Sequence, residues 1–156
     1  MAESKTNAMR FLDTKKAEYK VHFYEQGDKV DGISVANKLG QDVTKVYKTL
    51  VTKGKHTYFV FVIPVAQELD LKKAAKSVGE KSVEMIAVKD INKVTGYIRG
   101  GCSPIGMKKH FTTVINSSAK TQDEIIFSGG KIGAQIEMSP QKLSELIGAK
   151  FENIIM

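Results

Sequence analysis

Residues 58–64 read YFVFVIP, a run that is apolar at nearly every position. A strand with one face in water alternates apolar and polar side chains, whereas a strand buried on both faces does not. We therefore predict a strand over residues 57–63 at the centre of a sheet, ended by Pro64, which cannot donate a hydrogen bond to a neighbouring strand. Residues 48–53 (KTLVTK) predict the adjacent strand, which a turn at Gly54 and Lys55 joins to the first.

The other elements are predicted from periodic patterns and from residues that cap helices. Strands are expected over 19–24, 83–88, 111–115, 125–127 and 132–138, and a polar loop over 26–32. Helices are expected from Ser4 or Thr6 to Lys16, over 34–39, 42–47, 70–78 and 90–94, and from Ser139 onward. Because helices and strands are mixed without strict alternation, we predict a single α+β domain with one mixed, twisted sheet.

Positive charge is in excess and is unevenly distributed along the chain. The 24 Lys and Arg against 17 Asp and Glu give a formal net charge of +7. No Asp or Glu occurs over 43–67 or over 91–122, and these two stretches cover 57 of the 156 residues. Such a distribution favours an acidic partner, nucleic acid first and phosphorylated small molecules second.

The composition makes several kinds of protein unexpected. Cys102 is the only cysteine, which rules out an internal disulfide and fits a cytoplasmic protein. His22, His56 and His110 lie too far apart for ligand spacing, so we expect no metal. Neither a signal peptide nor a run long enough to cross a membrane is visible. No glycine run fits the phosphate loop or the dinucleotide fingerprint, and we expect no cofactor.

Residues 95–106 read TGYIRGGCSPIG, with four glycines and one proline in twelve positions. This run fits neither a regular helix nor a central strand. Glycine allows bare backbone to approach a ligand with its N–H groups pointing at it. Since the loop lies in an acid-free stretch and carries Arg99, it is a candidate anion site. Glycine loops also serve as plain turns, and this alternative stays open.

Four motifs occur in a fixed order: VYKTL at 46–50, PVA at 64–66 with LDLKK at 69–73, TGY at 95–97 with GGCSPIG at 100–106, and SGGK at 128–131. With them the chain resembles the YbaK/EbsC family over essentially its whole length, closer to the EbsC branch. That family is similar to the inserted editing domain of bacterial prolyl-tRNA synthetase. The resemblance implies a barrel-like mixed sheet flanked by helices. It also implies a trans-acting enzyme that removes a wrong amino acid, cysteine in the best known branch, from tRNA(Pro), with prolyl-tRNA synthetase as a candidate second partner.

The resemblance also implies site residues. The essential lysine of the VYKTL motif is here Lys48, the tyrosine of the first strand is Tyr24, and the glycine pair is Gly100 and Gly101. Many relatives carry an aspartate shortly after the SGGK turn, where this chain has Gln135, which keeps hydrogen-bonding capacity but no charge. We expect further substrate contacts from the following residues: Thr49, Tyr97, Cys102, Ser103, Pro104, Ser128, Gly129 and Gly130.

Two mechanisms and one non-catalytic role remain open. Cys102 invites an interpretation as a nucleophile, but no histidine lies nearby in the sequence to activate it. The resemblance implies instead that the thiol of the substrate attacks its own ester. The protein then supplies Lys48 for a phosphate or for the leaving oxygen, and N–H donors at Gly100, Gly101 and Cys102. The alternative is a tRNA- or protein-binding regulator that keeps the fold, an alternative that Gln135 keeps open.

Overall fold

The computed structural model describes residues 5–25 and 32–156, so the predicted cap at Ser4 and the predicted loop up to residue 31 lie outside the described residues. The helices in the described ranges are α1 (Asn7–Thr14), α2 (Gly32–Leu39), α3 (Leu71–Ser77), α4 (Ile91–Thr95) and α5 (Pro140–Ile147). The strands are β1 (Lys20–Phe23), β2 (Tyr47–Lys53), β3 (Tyr58–Pro64), β4 (Glu84–Met85), β5 (Thr112–Asn116), β6 (Ile125–Ser128), β7 (Ala134–Met138) and β8 (Lys150–Glu152). Short 3-10 helices cover Val43–Lys45, Val88–Asp90 and Ser117–Thr121.

The strand β3 lies in the middle of a five-stranded sheet with the order β4-β2-β3-β5-β8. It pairs antiparallel with β2 and parallel with β5. Every residue of β3 after Tyr58 is buried. The central position predicted from the YFVFVIP run is therefore confirmed.

Both faces of β3 are covered, which explains why its sequence does not alternate. Val62 belongs to the larger core, together with Leu12 of α1, Leu143 of α5 and Phe127 of the second sheet. Phe61 and its neighbours on the opposite face pack against α3 in a second cluster. The core thus has one layer on each side of the five-stranded sheet. No helix in the described ranges is both long and apolar enough to span a membrane.

The remaining strands form a separate antiparallel sheet with the order β1-β7-β6. The α+β class is confirmed, but the prediction of one sheet is wrong, since the described strands divide into two. Val46, just before β2, makes a single parallel bridge to Ile126 of β6. Beyond this bridge β2 pairs with β3 along its whole length and with β4 only at Thr52 and Lys53. The two sheets therefore meet along one short seam.

The predicted caps form at three helices. Thr6 accepts a hydrogen bond from the Met9 N–H at the start of α1, Asp70 accepts from the Lys72 and Lys73 N–H groups at the start of α3, and Ser139 caps α5. Each cap satisfies backbone donors that a helix start leaves without a partner.

The helix predicted over 42–47 is shorter than expected. Asp42 does cap a 3-10 helix, but this helix ends at Lys45. Tyr47 already belongs to β2, where it is paired with Pro64. Pairing with the central strand decides the conformation here, since tertiary contacts override local preference over so few residues.

Candidate functional site

A cavity of about 1010 Å³ opens beside the seam between the two sheets. Its walls come from α2, β2, β4, the glycine loop over 95–106, β6 and β7. Seven of the predicted site residues line it: Tyr24, Lys48, Thr49, Gly100, Cys102, Ser128 and Gln135. The structure therefore brings together residues that lie more than a hundred positions apart in the chain.

Lys48 projects into this cavity from a rigid position, since its backbone is paired with Ile63 of the central strand. Within residues 5–25 and 32–156 the ammonium group of Lys48 forms no hydrogen bond and no ion pair. Arg99, exposed at the cavity mouth, is the second cation of the lining, and no described lining residue is Asp or Glu. The ammonium of Lys48 is thus positioned for an anionic ligand rather than used in an ion pair of the fold.

Thr49 of β2 and Tyr24, which follows β1, both line the cavity. The Thr49 hydroxyl is buried and has no hydrogen-bond partner among the described residues. Buried hydroxyls are normally paired, so this hydroxyl without a partner is an unusual feature beside the cavity. Tyr24 is half-buried, and its N–H donates to the Gly133 carbonyl at 2.9 Å, which ties the end of β1 to the loop after β6.

The glycine pair divides into two roles. Gly100 has φ +85° and lines the cavity. Nothing in the described part of the chain accepts a hydrogen bond from the N–H groups of Gly100 and Cys102. The N–H of Gly101, in contrast, donates to the Ile98 carbonyl at 2.9 Å and closes a turn. The expected set of N–H donors is therefore corrected to Gly100 and Cys102.

Gly101 is needed for packing instead. A Cβ atom there would lie 3.0 Å from Lys131 Cα and 3.1 Å from Ile132 N. Backbone atoms cannot yield as the tip of a flexible side chain can, so only glycine lets the loop over 95–106 press against the loop after β6. At Gly101 the missing side chain therefore allows close contact between two loops of the protein, and not between the backbone and a ligand.

Five more predicted residues also lie behind the cavity wall, not on it. The Tyr97 hydroxyl donates to the Ile105 carbonyl at 2.6 Å, and burial raises the pKa of this phenol. Ser103 and Pro104 are buried in the loop that this bond closes. Gly129 donates its N–H to the Ala134 carbonyl at 2.9 Å, and a Cβ at Gly130 would lie 3.1 Å from the Tyr97 ring. These residues shape the loops that carry Gly100, Cys102 and Ser128.

The Cys102 thiol is placed in the lining but is poorly suited to act as a nucleophile. Its side chain packs against the cluster that contains Val51, Val60 and Phe111. Burial raises the pKa of the thiol to about 11. Reactive cysteines have lowered pKa values, since the thiolate is the attacking species. No histidine occurs in the described lining to accept the thiol proton.

Gln41, which the sequence analysis did not single out, forms hydrogen bonds with a residue of the cavity lining. Its Nε2 donates to Gln135 Oε1 at 2.7 Å, and Gln135 Nε2 donates to Gln41 Oε1 at 3.4 Å. Gln135 is only 6% exposed and lies opposite Ser128 in the β6–β7 register. The two glutamines are 94 positions apart, so no local pattern could have identified the pair.

A smaller cavity of about 460 Å³ lies on the other side of this pair, lined by Gln41, His22, Asp42, Lys45 and Glu137 among others. His22 Nε2 and Glu137 Oε1 are 2.7 Å apart. Asp42 accepts hydrogen bonds from the N–H and the hydroxyl of Thr44, and these bonds lower the pKa of its carboxyl.

In the described ranges no group of three His, Cys, Asp or Glu side chains is arranged to hold a metal.

Comparison with known proteins gives the family of the chain and agrees with its fold. The family model of the aminoacyl-tRNA editing domain matches residues 29–146. EbsC of Enterococcus faecalis, named as a candidate Cys-tRNA(Pro)/Cys-tRNA(Cys) deacylase, is 48% identical over 154 residues, which cover 97% of this chain and 94% of EbsC. The proline–tRNA ligase of Fervidobacterium nodosum is 35% identical over 74 residues, 47% of this chain and 13% of the ligase. A solved structure, described as a candidate trans-editing enzyme for prolyl-tRNA synthetase, has the same fold with a TM-score of 0.86, at 23% identity and 99% coverage of both chains. The chain belongs to the aminoacyl-tRNA editing domain family.

Proposed function

We propose that this protein is a trans-acting aminoacyl-tRNA deacylase that clears misacylated tRNA(Pro), with Cys-tRNA(Pro) as its substrate. The observation that carries the proposal is the cavity in which Lys48, without a partner among the described residues, faces the same space as the N–H-bearing loop at Gly100. The identity with EbsC over nearly the whole chain supports cysteine as the amino acid removed.

The proposed reaction needs no nucleophile from the protein. The thiol sulfur of the bound cysteinyl group forms a bond to its own ester carbonyl carbon, and the bond from that carbon to the ribose oxygen breaks. The thiol proton ends on the ribose oxygen, the tRNA leaves, and water later opens the cyclic thioester. The first step is thus an intramolecular cleavage, and the overall result is hydrolysis.

The residues of the cavity have separate tasks in this reaction. The N–H groups of Gly100 and Cys102 are available to the oxyanion that forms at the carbonyl, and one such donor contributes about 3 kcal/mol in comparable enzymes. Lys48 supplies positive charge to the terminal phosphate or to the leaving ribose oxygen. Tyr24, Thr49 and Ser128 hold the terminal adenosine. The raised pKa of Cys102 supports the assignment of the nucleophile to the substrate.

The test is a comparison of three esters, Cys-tRNA(Pro), Ala-tRNA(Pro) and Pro-tRNA(Pro), with the wild type and with Lys48→Ala. We expect the wild type to cleave Cys-tRNA(Pro) and to leave the other two esters intact. The Lys48→Ala variant should cleave none of the three. Loss of the alanyl ester at a similar rate would show that water attacks, since alanine has no thiol. Survival of all three esters would contradict the deacylase proposal for tRNA(Pro).

A second candidate function is a regulator that binds tRNA or protein without turnover. The observation that favours it is Gln135, which is uncharged and already bonded to Gln41. A binder slows the spontaneous hydrolysis of aminoacyl-tRNA, whereas a deacylase accelerates it. The time course of the cysteinyl ester with and without protein therefore separates the two.

A further inference from the structure

Three exposed apolar side chains stand at the mouth of the larger cavity. They are Ile33 of α2, Met85 of β4 and Val88, which are 41%, 47% and 55% exposed, and all three line the cavity. We call them the apolar rim. Since β4 and α2 are distant in sequence, the fold and not a local pattern brings the rim together.

The rim is more than a scatter of surface residues. Single exposed apolar side chains are ordinary, whereas a group that converges on one cavity marks a binding surface. Met85 lies on an edge strand of only two residues, paired with Thr52 of β2. It therefore sits at a fixed distance from the strand that carries Lys48.

The charge around the rim indicates its occupant. Arg99 is exposed and lines the same cavity as Lys48, and no described lining residue is acidic. A ligand that matches this surface has apolar faces and an anionic backbone. Single-stranded nucleic acid has both, since its bases offer flat faces and each linkage carries a phosphate.

The size of the cavity agrees with this occupant. Sites for small molecules usually measure about 300–1,000 Å³, and this cavity reaches about 1010 Å³. It has room beyond one esterified nucleoside. Bases held between apolar side chains are a known mode of recognition for unstacked nucleotides.

From these observations we infer that the apolar rim binds the unpaired bases that precede the terminal nucleotide of an RNA 3′ end, with Arg99 at the phosphate between them. This inference rests on the proposed function, because it places the esterified nucleotide beside Lys48. It adds a second binding surface outside the reacting centre, made by Ile33, Met85 and Val88.

The experiment measures binding of a fluorescent RNA oligonucleotide that ends in CCA, by anisotropy, to the wild type and to Ile33→Ser and Met85→Ser/Val88→Ser variants. The control is Leu71→Ser, since Leu71 of α3 is 42% exposed and lies outside the lining. We expect the double variant to bind about tenfold more weakly, near the lower end of the loss for a base stacked on an aromatic ring, since Met and Val offer less flat contact area. The control should bind like the wild type.

A second measurement separates this inference from the proposed function. Turnover of Cys-tRNA(Pro) and of adenosine esterified with cysteine is compared for the same proteins. The rim variants should raise KM for the tRNA and leave the adenosine ester unchanged. If the rim variants bind the oligonucleotide more weakly, as expected, but neither ester is cleaved by the wild type, the deacylase proposal fails. The inference that the apolar rim binds RNA bases is then retained.

Three results would overturn the inference. The first is oligonucleotide binding by the rim variants that equals that of the wild type. The second is a wild type that does not bind the oligonucleotide at all. The third is a dimer in sedimentation that the rim substitutions convert to monomers, which would make the rim an interface between copies of the chain.

Discussion

The two cavities share one wall and differ in how their charges are arranged. In the smaller cavity acidic and basic groups occur together, since His22 contacts Glu137 and Lys45 belongs to the 3-10 helix that Asp42 caps. In the larger cavity Lys48 has no partner among the described residues, and the described lining contains no carboxylate. Charge that the fold does not neutralise is costly unless a ligand or water meets it. The balance of charge among the lining residues, more than the number of polar groups, therefore distinguishes the candidate binding site from the smaller cavity.

Removal of one lysine from each cavity tests whether the two cavities differ in function. We expect Lys48→Ala to lower deacylation by on the order of 100-fold, in line with the loss of one preorganised electrostatic contact. Lys45→Ala, the matched control from the smaller cavity, should retain turnover within about threefold of the wild type, since surface charges contribute little. Initial rates on Cys-tRNA(Pro), with circular dichroism as a check of folding, measure both. Similar losses from the two substitutions would remove the distinction between the cavities.

The next largest effect is expected from the hydrogen-bonded pair of Gln41 and Gln135, which lies in the wall between the two cavities. Its loss should lower the stability of the fold. Gln41→Leu leaves the carboxamide of Gln135 unpaired at a site that is 6% exposed, with an expected cost of about 1–2 kcal/mol in the free energy of unfolding. Gln135→Leu should cost less, because the half-buried Gln41 can bond to water. Urea unfolding of both variants measures the two costs.

The double variant Gln41→Leu/Gln135→Leu is the control for this pair. Its cost should be smaller than the sum of the two single costs, since no unpaired carboxamide remains. Additive costs, or a larger cost for Gln135→Leu, would contradict the importance of the pair for the wall.

The Cys102 thiol gives a smaller effect that depends on pH. Its pKa is near 9 in an unfolded chain and about 11 in the folded protein. Between these values the folded protein keeps a proton that the unfolded chain has lost, so stability falls as pH rises. From pH 8 to pH 10 the wild type should lose about 1 kcal/mol more than Cys102→Ala.

Thermal or urea unfolding at the two pH values measures this difference. The comparison with Cys102→Ala is necessary because Tyr19, whose pKa is raised to about 12, also begins to contribute at high pH. Parallel losses in the two proteins would show that the thiol is not shielded as the structure indicates.

The smallest expected effect is that of Cys102→Ser on turnover. The hydroxyl replaces the thiol, and the N–H of residue 102 stays in place. We expect deacylation of Cys-tRNA(Pro) within about threefold of the wild type, since backbone donors do not depend on the side chain. A folded but inactive Cys102→Ser protein would move the nucleophile from the substrate to the protein.

Local sequence patterns were sufficient for much of the fold. Asp70 and Ser139 mark helix starts because their side chains meet backbone donors only two or three residues away. The run over 58–64 identifies the central strand because burial on both faces removes alternation. These features depend on interactions between residues that are close in the sequence, so they can be predicted from the sequence alone.

Contacts between distant segments were not accessible in this way. The described strands form two sheets where one was predicted, and nothing near Val46 or Ile126 indicates the single bridge at which they meet. The same limit applies to the site. Lys48 and Gly100 could be named from motifs, but the use of the Gly101 N–H in a turn and the partner of Gln135 depend on packing.

The pair of glutamines in the wall has one further consequence. A carboxamide has no proton to gain or lose in the range that cells experience, whereas a carboxylic acid changes from acceptor to donor when it is protonated. The wall between the cavities therefore keeps one hydrogen-bonding pattern from acidic to alkaline conditions. Acidification of the surroundings would leave this part of the structure unchanged.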